Sequence, residues 1–215
     1  DLPERYLDIL NSGMSIATPN KRANSMKYQY YKELRHSANK MHRRFLYETN
    51  VGAGLPIIDT LQNLFKSGDK LKAFSGIMSG SLSYIFGKLD EGVLFSDAVI
   101  GARNLGFTEP DPRDDLSGMD VARKALIIAR ESGMEVELED IKINRLFPDD
   151  FDDSGKVEQF LSNLPKVDKY FEEKIKALKK EDKVLRMGAS IEDGKVSVGL
   201  LEVSKDNPLY GVKGG

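Results

Sequence analysis

The sequence predicts an α+β protein in two parts: a short remnant of a parallel α/β domain, then a mostly antiparallel sheet covered by helices. Three observations carry this. Short apolar strands alternate with polar helices up to about residue 52. Beyond it, amphipathic helices closed by glycines dominate. A strong hairpin signal, Asp193-Gly194 between two alternating runs, then closes the pattern.

In order, residues 3–12 read as a helix stopped at Gly13, the usual left-handed C-terminal cap. Residues 14–17 form a short apolar strand ended by Pro19, 25–41 suit a polar helix, and 44–49 suit a strand. Helix and strand in alternation is the rhythm of a parallel sheet, although the stretch is too short for a whole domain of that kind. Residues 1–52 are therefore expected to be the C-terminal remnant of a parallel α/β domain, and 53–215 a second domain. The phosphate-binding fingerprint is missing, since no Gly-x-Gly-x-x-Gly opens a helix after a strand. Gly52-Ala53-Gly54 follows a strand, but Pro56 and Ile57-Ile58 stand where the third glycine belongs. A tight turn into a helix with Pro56 in its first turn explains it better.

The second part reads as helices at 56–67 (stop Gly68), 81–91 (stop Gly92) and 95–105 (stop Gly106), with a strand at 70–78 between the first two. An acidic, turn-rich stretch at 108–117 leads into a helix from 119 to 132, then a strand at 135–143 and a loop at 150–156. Helices at 156–163 and 165–180 precede the hairpin strands 184–191 and 196–203.

Composition excludes several classes. With 32 basic and 34 acidic residues, the net charge of −2 gives no electrostatic argument for nucleic acid or an anionic membrane. No apolar run approaches the roughly 18 residues needed to span a bilayer, and no secretory signal opens the chain. Cysteine is absent, which removes thiol chemistry and is compatible with a cytoplasmic location. His36 and His42, six apart in a basic stretch, read as surface residues rather than metal ligands. The chain opens at Asp1 in mid-pattern and ends at Gly215 after a strand and a turn, so a longer natural protein is expected.

The chemistry concentrates in the run Thr108-Glu109-Pro110-Asp111-Pro112-Arg113-Asp114-Asp115-Leu116-Ser117-Gly118-Met119-Asp120-Val121-Ala122-Arg123-Lys124. The two prolines bias their predecessors away from helix and should hold 109–112 extended. Ser117 suits a helix cap, with Asp120 three residues on as in a capping box. The helix that follows is apolar nearly all round, hence buried. Asp120 and Lys124 share one face, one turn apart. They read either as a helix-capping acid with a surface ion pair or as groups turned toward a cleft, where a lysine serves as an acid or base. The neighbouring carboxylates suit a substrate ammonium better than calcium, because Pro110 and Pro112 break the calcium-loop pattern. A second stretch, Thr18-Pro19-Asn20-Lys21, follows a strand, where ligands gather in open parallel sheets. A third runs from Glu48 through Val51, Ala53 and Leu55, where small residues let carbonyls converge on a cation or simply make a turn.

These stretches resemble the homoserine dehydrogenase family. The matching blocks are Thr18-Pro19-Asn20-Lys21, Asn50-Val51-Gly52-Ala53-Gly54-Leu55-Pro56, Ser75-Gly76-Ile77-Met78-Ser79-Gly80-Ser81-Leu82-Ser83-Tyr84-Ile85, and the run from Gly106 to Lys124. The wording is most like the dehydrogenase half of bifunctional aspartokinase–homoserine dehydrogenases, and the likeness weakens after about Phe147. The resemblance implies reduction of aspartate 4-semialdehyde to homoserine with NADP or NAD as the cofactor in its reduced form, NADPH or NADH, on the route to threonine and methionine. It implies Lys124 as proton donor, Lys21 between nicotinamide and substrate, and Thr18 and Asn20 beside the cofactor. It implies Glu109, Asp115 and Asp120 as the pocket for the substrate's amino and hydroxyl ends, floored by Ser79, Gly80 and Ser81. It further implies that 1–52 is the C-terminal remnant of the dinucleotide-binding domain, a sodium-like ion at Glu48, Val51, Ala53 and Leu55, and a homodimer or higher homo-oligomer formed through the sheet of 53–215, the substrate-binding and dimerisation domain. Without the phosphate loop, little turnover is expected from the chain alone. Two rivals stand beside this reading: a non-catalytic oligomerisation and substrate-recognition module, and a carboxylate-cluster metal hydrolase.

Overall fold

A computed structural model describes residues 1–214. The chain divides into two compact units: residues 1–74, 122–142 and 190–196 form the first, and 75–121, 143–189 and 197 onward the second. Each is described by itself.

The first unit opens with a 3-10 turn, Leu2–Arg5, and helix α1, Tyr6–Asn11, beyond which Gly13 takes the left-handed conformation expected of a stop. Strand β1, Ile16–Ala17, pairs in parallel with β2, Phe45–Leu46. Between them lie α2, Arg22–Ser25, and α3, Tyr28–Lys40. Tyr6, Leu10, Ile16, Ala23, Leu34 and Ala38 pack into one buried cluster. The strand expected over 44–49 is thus only two residues long. Glu48–Asn50 coil into a 3-10 turn, and the Glu48 carboxylate accepts hydrogen bonds from the amides of Ile58 (2.8 Å) and Asp59 (2.9 Å) at the start of α4, Ile57–Lys66. A carboxylate at a helix N-terminus satisfies donors that lack an intrahelical partner. His36 and His42 are exposed, as read from the sequence.

Strand β3, Ala73–Gly76, is also shorter than the expected 70–78. In the second unit α5, Gly80–Asp90, and α6, Phe95–Asn104, pack together, and Gly92 and Gly106 stop them in left-handed conformations. The extension expected through Pro112 ends at Asp111, because Pro112 opens a short helix α7, Pro112–Leu116; a missing amide is harmless at the first helical position. Helix α8, Met119–Glu131, follows, and Val121, Ala122 and 125–129 on it are shut off from solvent. Where a strand was expected over 135–143 there is a 3-10 turn, Leu138–Asp140, then the two-residue β4, Lys142–Ile143. The Asp140 carboxylate accepts from the Glu137 amide (2.9 Å), a local bond that competes with the sheet ladder.

Helices α9, Val157–Asn163, and α10, Asp168–Lys179, precede the hairpin of β5, Lys183–Glu192, and β6, Lys195–Ser204. Its turn is as read: Asp193 (φ 48°) and Gly194 (φ 73°) both take positive φ, the two-residue geometry that matches strand twist. The strands lie side by side in the order β3-β5-β6-β4, a mostly antiparallel sheet. The α+β organisation expected from the sequence is the one found. Six phenylalanines fill the second unit's core, with Phe95 stacked on Phe171 at 4.1 Å between ring centroids and Phe147 tilted on Phe151 at 4.7 Å. Arg186 is fully buried on β5. Its guanidinium reaches the Asp90 carboxylate (2.8 Å) and the carbonyls of Leu185 and Tyr210, while its Nε has no partner among the described residues.

Gly188 on β5 lies where a Cβ would meet the Gly76 carbonyl oxygen at 2.6 Å and Leu201 at 2.7 Å. Backbone cannot yield as a side chain can, so Gly188→Ala is expected to cost about 1–3 kcal/mol, read as a lower urea midpoint with an unchanged slope.

Candidate active site

In the first unit, β1 delivers the chain into Thr18-Pro19-Asn20-Lys21. The Thr18 hydroxyl shares a hydrogen bond with the Tyr6 hydroxyl (2.9 Å) and accepts from the Asn20 amide (3.1 Å). The Asn20 side chain in turn accepts from the Arg22 amide (2.9 Å), closing a turn of the kind asparagine favours. Lys21 is therefore held half-buried on an ordered corner, just before α2. That corner forms part of a cleft of about 540 Å³ lined by Pro19, Lys21, Arg22, Met26, Arg123 and Leu138 among others. Its cationic side chains are Lys21, Arg22 and Arg123, of which Arg22 is already paired with the carboxylates of Asp1 and Glu4.

In the second unit the acid loop is built around Asp115. The Ser81 hydroxyl donates to its Oδ1 (2.7 Å), and the Glu109 amide donates to its Oδ2 (2.8 Å). Ser79 caps α5 and bonds the Ser81 hydroxyl at 2.9 Å, so Ser79, Ser81, Glu109 and Asp115 are brought together. The Glu109 side chain is exposed beside them. Asp111 does different work. It accepts from the Arg113 amide to start α7 and pairs with the Arg113 guanidinium (2.6 Å), which holds its carboxyl below the usual carboxylate range. Arg113 also donates to the carbonyls of Asp153 and Gly155, tying the acid loop to the 150–156 loop. Ser117 accepts from the Met119 amide (3.2 Å) and donates to the Asp114 carbonyl (2.8 Å), marking the entry to α8. Asp120 and Lys124 on that helix are both half-buried, and neither is without a partner.

Among the described residues no group of three or more histidines, cysteines or carboxylates gathers as a metal site. At the 48–55 turn, Gly52 and Ala53 both take positive φ, the Leu55 carbonyl accepts from the Ile57 amide (2.9 Å), and Glu48 caps α4. No helix among the described residues is long and apolar enough to cross a membrane.

The family model for homoserine dehydrogenase matches residues 56–215. The chain belongs to the homoserine dehydrogenase family. A bifunctional aspartokinase/homoserine dehydrogenase of Haemophilus influenzae is 51% identical over 210 residues, covering 98% of this chain and 26% of that protein. The chain thus spans about a quarter of the length of the curated relatives it matches. Among solved structures, a Candida auris protein of unknown function superposes with a TM-score of 0.93 at 38% identity, covering 99% of this chain and 62% of that one. A hyperthermophilic archaeal homoserine dehydrogenase in complex with NADPH superposes at 0.71 and 27% identity, covering 97% and 54%.

One polar centre of this homoserine dehydrogenase chain escaped the sequence reading. The Glu131 side chain, only 5% exposed at the end of α8, accepts hydrogen bonds from Tyr31 (2.9 Å), Arg35 (2.8 Å), Tyr47 (2.7 Å) and Gln62 (2.8 Å). Burial pushes both tyrosine hydroxyls well above their ordinary range, so they stay protonated donors. Its partners lie between 69 and 100 residues away in sequence, where no local pattern could signal them.

Asp111 gives a pH prediction. Its carboxyl is lowered from the ordinary 3.8, so its pairing with Arg113 stabilises the fold above about pH 4 and is lost as pH falls through the folded value. The side chains are about a quarter exposed, so the effect at neutral pH is modest, about 0.5–1 kcal/mol. Asp111→Asn should lower stability at pH 7 by that amount and leave it unchanged near pH 2, measured as urea midpoints across pH. An equal loss at both ends would overturn the assignment.

Proposed function

We propose that this chain carries the substrate side of the NAD(P)-dependent reduction of aspartate 4-semialdehyde to homoserine. What carries the reading is the convergence of the Ser81 hydroxyl and the Glu109 amide on the two oxygens of Asp115, in a chain of this family. Asp115 is thereby fixed with Glu109 beside it, a carboxylate pair able to hold an ammonium-bearing substrate. Residues 53–215 would form the substrate-binding and dimerising domain.

As hydride arrives, the aldehyde carbon becomes tetrahedral and its oxygen gathers negative charge. Lys124 donates the proton that completes the hydroxyl, with Asp120 one turn away orienting its ammonium. Glu109 and Asp115 bind the substrate's amino end, while Ser79, Gly80 and Ser81 shape the floor beneath it. Lys21, on its ordered corner, orients substrate and cofactor, with Thr18 and Asn20 beside it. The cofactor, NADP or NAD in its reduced form (NADPH or NADH), would supply the hydride when bound. Lys21 and Arg123 line the cleft that would receive an anionic dinucleotide, with Arg22 beside them paired to Asp1 and Glu4. The archaeal homoserine dehydrogenase solved in complex with NADPH supports a nicotinamide cofactor.

The test is kinetic. Lys124→Met in the complete enzyme should lower kcat by about a thousandfold or more with little change in homoserine KM, since proton donation is a transition-state interaction. Asp115→Asn should chiefly raise the homoserine Kd in calorimetry. Full turnover by Lys124→Met would sink the proposal.

We place a sodium-like ion at Glu48 and the carbonyls of Val51, Ala53 and Leu55. Each Glu48 oxygen keeps a lone pair beyond the one facing α4, which leaves room for a cation. Sodium should raise the Tm of the wild type by mass action, and Glu48→Gln should abolish that rise as well as lowering Tm through the weakened cap. An identical sodium response in both proteins refutes the site.

A further inference from the structure

We propose that Arg130 is a positioning residue, fixing the Lys21 corner against the helix that bears Lys124. The inference rests on the roles just given to those two lysines, but its geometry stands apart from them.

Arg130 follows Lys124 on α8, and its side chain is fully buried. Nη1 donates to the carbonyls of Asn24 (2.9 Å) and Met26 (2.7 Å), which lie directly after Lys21. Nε donates to the Val136 carbonyl (3.0 Å) and Nη2 to the Glu137 carboxylate (3.0 Å). The segment so gripped is the one that holds Lys21. The Lys21 carbonyl accepts from the Ser25 amide (3.0 Å), the Asn24 side chain donates to Asn50 (2.9 Å), and Asn50 donates to the Thr18 carbonyl (3.2 Å). Both flanks of the corner, 18 and 24–26, are therefore bound into one network that ends on Arg130.

The same guanidinium joins the two walls of the cationic cleft. One wall is the corner, with Lys21, Arg22 and Met26; the other supplies Arg123 from α8 and Leu138. The Glu137 carboxylate also accepts from the Tyr28 amide (3.0 Å), and Lys27 pairs with Glu139 (2.8 Å), so the walls are laced again further along. Lysine cannot replace this arrangement. Its three donors radiate from one point, whereas the fork of arginine reaches four acceptors on two separate segments at once.

Arg130→Lys in the complete enzyme should lower kcat by about 10- to 100-fold, the range expected when a reacting group is displaced by an ångström or less. The homoserine KM should stay within about threefold, because the substrate is gripped by Glu109 and Asp115. Asp168→Asn is the control. That buried carboxylate accepts from the Ser96 amide (2.8 Å) and hydroxyl (2.7 Å) in the other unit, so its loss destabilises without touching the corner, and kcat should be unchanged. Glu137→Gln, a milder loosening, should give a smaller fall of about 3- to 10-fold, and it decides the matter if Arg130→Lys does not fold. Arg130→Lys or Glu137→Gln with wild-type kcat overturns the inference, as does a fall in kcat that tracks Tm equally in Asp168→Asn. A fully active Lys124→Met would instead overturn the functional reading, so the two failures are told apart.

Discussion

The burial of α8 is the constraint on which the rest depends. Val121, Ala122 and residues 125–129 are removed from water almost completely, so the helix can occupy one place only. Its ends are then free to be polar. Asp120 and Lys124 stand near the start, and Arg130 and Glu131 close it with buried hydrogen-bond networks. An apolar shaft with charged ends converts hydrophobic packing, which is non-directional, into a fixed direction for particular side chains.

The acidic residues divide by what satisfies them. Glu48 caps α4, Asp111 caps α7 and holds Arg113, Asp168 accepts from the start of α6, and Glu131 gathers two tyrosines, an arginine and a glutamine. The first three organise backbone, and Glu131 ties side chains together. Asp115 is different in kind, since its donors are a serine hydroxyl and a loop amide that themselves line the candidate site. In a chain with this much charge, the role of a carboxylate follows from its partners rather than its sequence neighbours.

Helices and the hairpin were legible because their signals are local. Gly13, Gly92 and Gly106 end helices where expected, and Asp193-Gly194 turns the chain as read. The strand lengths were not legible at 44–49, 70–78 and 135–143. In two of these cases a side chain took over the backbone: Glu48 turns toward α4, and Asp140 folds back on the Glu137 amide. The site was half legible. Composition and proline spacing drew attention to 108–124, and likeness to a family named Ser81, but only three-dimensional packing could show Ser81, 34 residues away, donating a hydrogen bond to Asp115. The Arg130 and Glu131 networks had no sequence signal at all, since an arginine and a glutamate closing a helix look like ordinary surface residues.

The orphaned Nε of Arg186 bears on how the sheet is aligned. A buried ion pair with one donor unmet is seldom the most stable way to fill its space, and an apolar pair of similar size often does better. What it supplies is a single permitted alignment. Side chains alternate across a strand, so a slip of β5 by one residue would swing the guanidinium to the opposite face, away from Asp90 and the Tyr210 carbonyl. The arginine thus acts as an index pin, making a one-residue misalignment of the long hairpin less stable than the native pairing.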